Sequence, residues 1–438
     1  MGTILLKNIF LDGGRKDIVI AKGLIQKIIA SGDLDKTIHT PGNESLAVHV
    51  ASGVEIVDCS GKAAFPGFVN MHTHAAMSLM RGIEEDAPDL QDWLDKIWGI
   101  EAKIDADFVY WGTKVACLEM IKTGTTTFND QYWFGQYAFK AAVETGIRPV
   151  ISYVVLDHNN PEEAARQKDQ CEERYADSLS WKDKGIFEMA FHAIYSVSEE
   201  MILWTSEFAR KHNQKLHIHL SETEKEVEDC KKLHGGLSPV EYLDSLGILS
   251  ENLIAAHTLW LSDHDIELLG KNHVTCVHNI NSNTKLASGY MFRYNELRDA
   301  GANVCIGTDG CASSNNLDML EACKTSAIIQ KAWRQDTQAM PLNELVSLAT
   351  SHGAKAFNLN TGTIEEGKIA DISIINMENS FFLSPAPFLS NFVYSSHSDC
   401  IDSVIADGNF VMRDRVIKGE RESLENARKE IDKIFKTK

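Results

Sequence analysis

The sequence predicts an α/β protein: a (β/α)8 TIM-like barrel carrying a small β-sandwich domain built from both chain termini. Three observations predict it. Between residues 63 and 310, eight short β-rich runs alternate with stretches of helical periodicity, which is the strand count of such a barrel. A doubly wound open sheet alternates in the same way, but it favours a glycine-rich phosphate loop near its start, and no such loop occurs. Residues 1–62 and 365–438 carry short alternating runs with turn signals, too few in either half to close a core alone.

In chain order, the N-terminal part of the sandwich (1–62) holds TILLKNIFLDGG, DIVIAKGLIQKIIA and VEIVDCSGK, which alternate apolar and polar residues as half-buried strands do. The barrel (63–364) opens with AAFPGFVNMH, where Pro66-Gly67 marks the entry from the small domain. Its next runs are TTTFND (125–130), RPVISYVV (148–155), FEMAFHAI (187–194) and LHIHLS (216–221). LIAAHT (253–258), HVTCVHN (273–279) and NVCIGTD (303–309) complete the eight. Intervening segments such as DFVYWGTKVACLEMIKTG and EMILWTSEFARKHNQ place apolar residues at the spacing of amphipathic helices. The C-terminal part (365–438) returns to alternating runs, DISIIN and DSVIADGNFVMRDRVI. RESLENARKEIDKIFKTK then predicts an exposed charged helix.

Composition narrows the function classes. A net charge of −19 argues against nucleic acid, which leaves a basic footprint on its partners, and against anionic membrane surfaces. No stretch approaches the roughly 18 apolar residues of a membrane span. The N-terminus lacks the basic start, continuous apolar segment and small-residue site of a signal peptide, so the cytoplasm is the default expectation. Nine cysteines without a CxxC pair read as buried or free thiols of a reducing compartment, with Cys311, beside Asp309, the one to watch. A small-molecule substrate and a homo-oligomer both suit such a chain.

Chemistry concentrates where barrel enzymes keep it, at the C-terminal ends of the strands. His72 and His74 are one residue apart on the first strand and so share a face. Alone, they read equally as a solvated pair. His192, His219 and His257 end the fourth, fifth and sixth strands, and Asp309 ends the eighth. His72, His74, His219 and Asp309 together offer three imidazoles and a carboxylate, a donor set that suits zinc or ferrous iron. His217 points the same way as His219 but lies deeper, as a structural residue. Glu222, three residues beyond His219, reads either as a proton-handling carboxylate or as a solvated loop acid beside Glu224 and Glu226.

At this point a resemblance enters. PGFVNMHTHAAMSLMRG, HIHLSET, AAHTLWL, HNINSNTKLASG and GTDGCASSNNLDM resemble, in order, the motifs of the amidohydrolase superfamily. More narrowly, they are similar to its 5′-methylthioadenosine/S-adenosylhomocysteine deaminase (chlorohydrolase-like) branch. The likeness extends to GKIADISI near 367–374 and so spans nearly the whole chain. It implies one divalent metal, zinc or ferrous iron, held by His72, His74, His219 and Asp309. It implies that Glu222 shuttles protons, that His257 meets the nucleophilic water and that Asp309 accepts its proton. His192 and Glu101 would contact base and ribose. The absence of lysine from FEMAFHAI favours a single metal over a carbamate-bridged pair.

The implied reaction is hydrolytic deamination of an adenosine-type compound: 5′-methylthioadenosine, S-adenosylhomocysteine or adenosine. The alternative is an aminohydrolase or chlorohydrolase acting on guanine, pterin, pyrimidine or s-triazine rings. Three departures bear on the substrate. Ala190-Phe191 and Ile194 stand where the family has glycine-proline and proline around the histidine of FHAIYSVS. WLDKIWGIE is a residue shorter than usual and has Gly99 in place of a common proline. Tyr153 occupies a region where homocysteine-binding relatives present arginine, with Arg148 and Arg166 nearby.

Overall fold

The computed structural model describes residues 2–34, 53–88 and 90–435. The last three residues of the expected C-terminal helix therefore lie outside the described chain. Five strands open it: β1 (Thr3–Leu11), β2 (Gly14–Ala21), β3 (Leu24–Ala30), β4 (Val54–Asp58) and β5 (Lys62–Pro66). Eight follow with helices between them: β6 (Phe68–Thr73), β7 (Thr125–Asp130), β8 (Arg148–Val155), β9 (Ile186–Phe191), β10 (Leu216–Leu220), β11 (Leu253–His257), β12 (Thr275–His278) and β13 (Asn303–Ile306). Three more close the chain: β14 (Ile372–Asn376), β15 (Ile401–Ala406) and β16 (Asn409–Met412).

Strands β6 to β13 pair in sequence order, each parallel to the next, and form the barrel. Every residue of β6, β7, β10, β11 and β12 is buried, as expected of a parallel sheet covered on both faces. The seam between β13 and β6 is not a regular ladder. It is closed by Asp309 N–H donating to the His72 carbonyl at 2.9 Å and by the side chain of Asn70. Asn70 accepts from Thr308 N–H at 3.1 Å and donates to Thr308 Oγ1 at 2.7 Å.

The strands from both termini join in one second sheet, ordered β16-β15-β14-β5-β1-β2-β3, with β4 on β1. The two ends of the chain meet where β5 runs antiparallel to β14. β1 pairs with β2 along one edge and bends to serve two partners along the other. Its first half lies parallel to β4, its far end meets β5, and Asn8 between them has φ +60°. Leu6, Ile9, Ile18, Ile20, Ile25, Ile372 and Ile405 fill the core against this sheet. AAFPGFVNMH divides between the sheets: Lys62–Pro66 belongs to the terminal sheet and the barrel begins at Phe68. The chain crosses over at Gly67, where a Cβ would fall 2.3 Å from Thr126 Oγ1.

The C-terminal helix, Glu420–Phe435, is less exposed than its charge pattern predicts. It lies against the helix Ala106–Lys122, buries Ser423, Ala427 and Glu430, and pairs Glu420 with Lys122. No helix among the described residues is long and apolar enough to cross a membrane.

Candidate active site

The barrel strands end in a cluster of imidazoles and carboxylates. His72 is the last residue but one of β6 and His74 stands just past its end, His219 lies on β10, and Asp309 sits just past β13. Asp309 Oδ1 lies 3.4 Å from His72 Nε2 and 3.2 Å from His74 Nε2. His74 Nε2 and His219 Nε2 are 3.3 Å apart. Two glycines permit this approach. A Cβ at Gly307 would come within 2.9 Å of His72 N, and one at Gly310 within 2.9 Å of the His74 Cβ. His257 and Asp309 hold left-handed backbone conformations, with φ of +72° and +62°. Non-glycine residues rarely adopt that conformation outside sites that over-determine it.

The arrangement suits a cation. Nδ1 of His74 bonds the Gln131 carbonyl at 2.6 Å, and Nδ1 of His219 bonds the His192 carbonyl at 2.9 Å. With one proton of each ring committed there, the Nε2 atoms of His74 and His219 converge beside Asp309, and a cation shared among them would take the place of the proton that Asp309 favours on His74. Nε2 of His72 is fully buried without a hydrogen-bond partner. Burial holds His72 and His219 well below the usual imidazole range, so both are free of the proton that would block a metal. Burial also opposes charge on His74 and Asp309, but their mutual contact outweighs it. His74 is raised to about 9 and Asp309 is held well below the carboxylate range.

Glu222 and His257 lie at the other side of this cluster, with Glu222 Oε2 3.6 Å from His257 Nε2. Asn283 Nδ2 is 2.9 Å from His257 Nδ1, which leaves Nε2 to face the cavity. Burial, then the charges of Asp309 and Glu226, push the Glu222 carboxyl well above its ordinary range. Its Oε1 is 3.4 Å from the Ser288 hydroxyl. Glu226 is no solvated loop acid. Its carboxylate accepts from Ser221 N–H at 2.9 Å and from Glu222 N–H at 2.8 Å, so it fixes the loop that presents Glu222.

His192 and Glu101 line the same cavity, so all eight candidate residues gather at one rim. His192 Nδ1 meets Ser196 Oγ at 2.8 Å, and burial lowers its ring to about 3, so it is neutral. Glu101 ends the helix Leu90–Glu101, and burial raises its carboxyl. An adjoining cavity of about 680 Å³ shares Trp98, Glu101, Tyr132, Trp133 and Val154 with the site. Arg166 borders this annex but is held by Glu163. Tyr153 donates its hydroxyl to the Gln167 carbonyl at 2.9 Å. Arg148 is absent from the cavity, because it turns to Asp371 at the opposite end of its strand. Cys311 is fully buried, and burial pushes its thiol up, which leaves it inert.

Sequence reasoning did not single out Tyr132 and Trp93, which line the cavity, Asn283 and Ser288, which meet His257 and Glu222, or Glu188, which is buried on β9 against His217. Asn283 and Ser288 stand inside HNINSNTKLASG, and Glu188 is a lone carboxylate in an apolar strand run. Those were the available signals. Tyr132 and Trp93 gave none.

The profile of the amidohydrolase family matches residues 63–411. A 5′-deoxyadenosine deaminase of Methanoregula boonei is 42% identical over 427 residues, which is 97% of this chain and 93% of the relative. A 5-methylthioadenosine/S-adenosylhomocysteine deaminase of Archaeoglobus fulgidus is 41% identical, covering 92% and 94%. The crystal structure of an adenosine deaminase from Xanthomonas campestris with bound zinc superposes with a TM-score of 0.85 at 29% identity, covering 99% of this chain and 98% of that one. An atrazine chlorohydrolase from Arthrobacter aurescens, also complexed with zinc, reaches the same TM-score at 19% identity, covering 98% and 100%, a likeness of fold alone.

Proposed function

The chain belongs to the amidohydrolase family, and on that premise we propose how its barrel-rim site deaminates an adenosine-type nucleoside. The protein is a metal-dependent hydrolytic deaminase that releases ammonia and the inosine analogue. His72, His74, His219 and Asp309 would hold one divalent ion, zinc by analogy with the adenosine deaminase from Xanthomonas campestris; the ligand atoms of His72, His74 and His219 converge, as do those of His72, His257 and Asp309. When bound, such an ion lowers the pKa of water from about 15.7 towards 7 and supplies hydroxide at neutral pH.

The chain's own groups do the rest. His257, its Nδ1 held by Asn283, orients the attacking water through Nε2. Asp309 accepts the proton that the water gives up. Glu222, whose carboxyl burial holds well above its ordinary range and so favours in the protonated form, donates to the ring nitrogen beside the carbon under attack, so that the adduct can form. The adduct's hydroxyl then returns a proton to the Glu222 carboxylate, the amine leaves as ammonia with the proton held on Asp309, and both carboxyls are restored. Neutral His192 contacts the base and Glu101 the ribose hydroxyls. The annex beside Glu101, walled by Trp98, Trp133 and Tyr153, receives the 5′ substituent.

One observation carries this reading: a buried carboxyl, Glu222, stands 3.6 Å from His257 and beside the proposed metal ligands, where burial favours its protonated form. A protonated donor suits an amine leaving group. Expulsion of chloride needs none, so the site favours deamination over dehalogenation. The test is ammonia release from 5′-deoxyadenosine, 5′-methylthioadenosine, S-adenosylhomocysteine and adenosine, with guanine and a pterin as comparators. Turnover of adenosines that chelation abolishes and zinc restores is the expected result. Metal-loaded protein that turns over none of the adenosines overturns it.

A further inference from the structure

A histidine that binds a metal through Nε2 carries its proton on Nδ1, and that proton needs an acceptor. His74 and His219 find main-chain carbonyls there, Gln131 and His192. A carbonyl can only accept, so the backbone fixes both tautomers. His72 is different. Its Nδ1 faces Nε2 of His217 at 3.0 Å. A neutral imidazole nitrogen donates or accepts according to its own tautomer, so this contact alone leaves His72 undecided.

The far side of His217 decides it. His217 Nδ1 is 3.0 Å from Oε1 of Glu188, and the Ser152 hydroxyl donates to the same oxygen at 2.7 Å. Glu188 Oε1 already accepts from Ser152 and offers His217 an acceptor in turn, so the His217 proton belongs on Nδ1. Its Nε2 lone pair then takes the proton of His72 Nδ1, and His72 Nε2 is left bare towards the metal site. The chain crosses the barrel interior from β8 and β9 through β10 to β6. His72, His217 and Glu188 are all fully buried.

We propose that Glu188 is a positioning residue: through His217 it sets the tautomer of His72, and thereby the affinity of the site for its metal. This rests on the ligand set proposed above, but not on the substrate, because its readouts need no turnover.

Long-range 1H–15N correlation of histidine-labelled, zinc-loaded protein locates each ring proton, and a His217→Gln variant assigns the His217 signals. The proton of His217 is expected on Nδ1, and a proton on Nε2 overturns the proposal. Glu188→Leu removes the acceptor while keeping an apolar side chain of similar size, a change that buried ionic positions often tolerate. Chelator competition should show zinc affinity falling about 10- to 100-fold, with near-UV circular dichroism unchanged. A folded Glu188→Leu protein within twofold of wild-type affinity overturns the proposal. If that variant does not fold, the tautomer measurement on the wild-type protein still decides. Failure of every adenosine to react, with the His217 proton on Nδ1, would sink the substrate reading and leave this one standing.

Discussion

Glu222 shows most clearly how a residue's surroundings decide its chemistry. In sequence it is one of three glutamates in SETEKE, with nothing in the spacing to separate a proton shuttle from a solvated acid. In the fold it is buried and its carboxyl is raised, first by burial and then by Asp309 and Glu226. Glu222→Gln keeps the shape and removes the transferable proton, so kcat should fall about 10²- to 10⁴-fold while metal analysis of the purified variant stays unchanged. A lost metal would mean that the side chain holds the site together instead. The sign of the pH dependence follows from the raised pKa. Glu222 donates while protonated, so activity declines as pH rises through its pKa. Glu226, itself raised by burial to about 7, adds a like charge once ionised. Removing that charge with Glu226→Gln should move the alkaline limb of kcat/KM to lower pH. A limb that stays in place, or moves up, would assign it to another group.

Strands that end at a common rim made much of the site legible. Buried parallel strands read as short, mostly apolar runs, so LHIHLS and LIAAHT announced both strands and placed their ends to within a residue. Their terminal histidines could be assigned to one face of one barrel. Contacts across strands were not legible, because periodicity along one strand says nothing of its neighbour's register. The β13–β6 seam is the main example. It joins the elements that carry His72 and Asp309, yet side-chain bonds from Asn70 stand where a ladder would. Asn70→Ala leaves the buried Thr308 N–H without its acceptor, at a cost of about 1–3 kcal/mol. Urea unfolding should register that loss, and zinc affinity should weaken with it because two proposed ligands flank the seam. Stability lost with zinc affinity intact would show that β6 and β13 hold their ligands independently.

At the scale of the molecule, the pairing of both termini was legible from their alternating runs, since neither could bury its apolar face alone. What joins that sheet to the barrel was hidden. Arg148 drew notice in the sequence as a neighbour of the substrate region, but it opens β8 at the end away from the site. There it donates to Asp371 Oδ2 at 2.6 Å. Asp371 also accepts from Thr361 Oγ1 at 2.8 Å and from Asp407 N–H at 2.7 Å, and its side chain is 1% exposed. One carboxylate thus ties the first residue of a barrel strand to the turn that precedes β14. Arg148 is 10% exposed, and its other acidic neighbour, Asp407, lies 3.9 Å away on the surface. Asp371→Ala therefore strands a largely buried guanidinium and should cost about 3–5 kcal/mol. Replacing the cation as well, in Asp371→Ala/Arg148→Met, should recover part of that loss, because the stranded charge is gone while the stem still packs. Denaturation midpoints of the two variants measure the difference. The site lies at the other end of the strands, so kcat/KM of either folded variant should stay within about twofold of wild type, roughly 0.4 kcal/mol by the conversion of 1.36 kcal/mol per tenfold change. A double variant no more stable than Asp371→Ala would place the cost in the lost hydrogen bonds of Thr361 and Asp407, and not in the uncompensated charge.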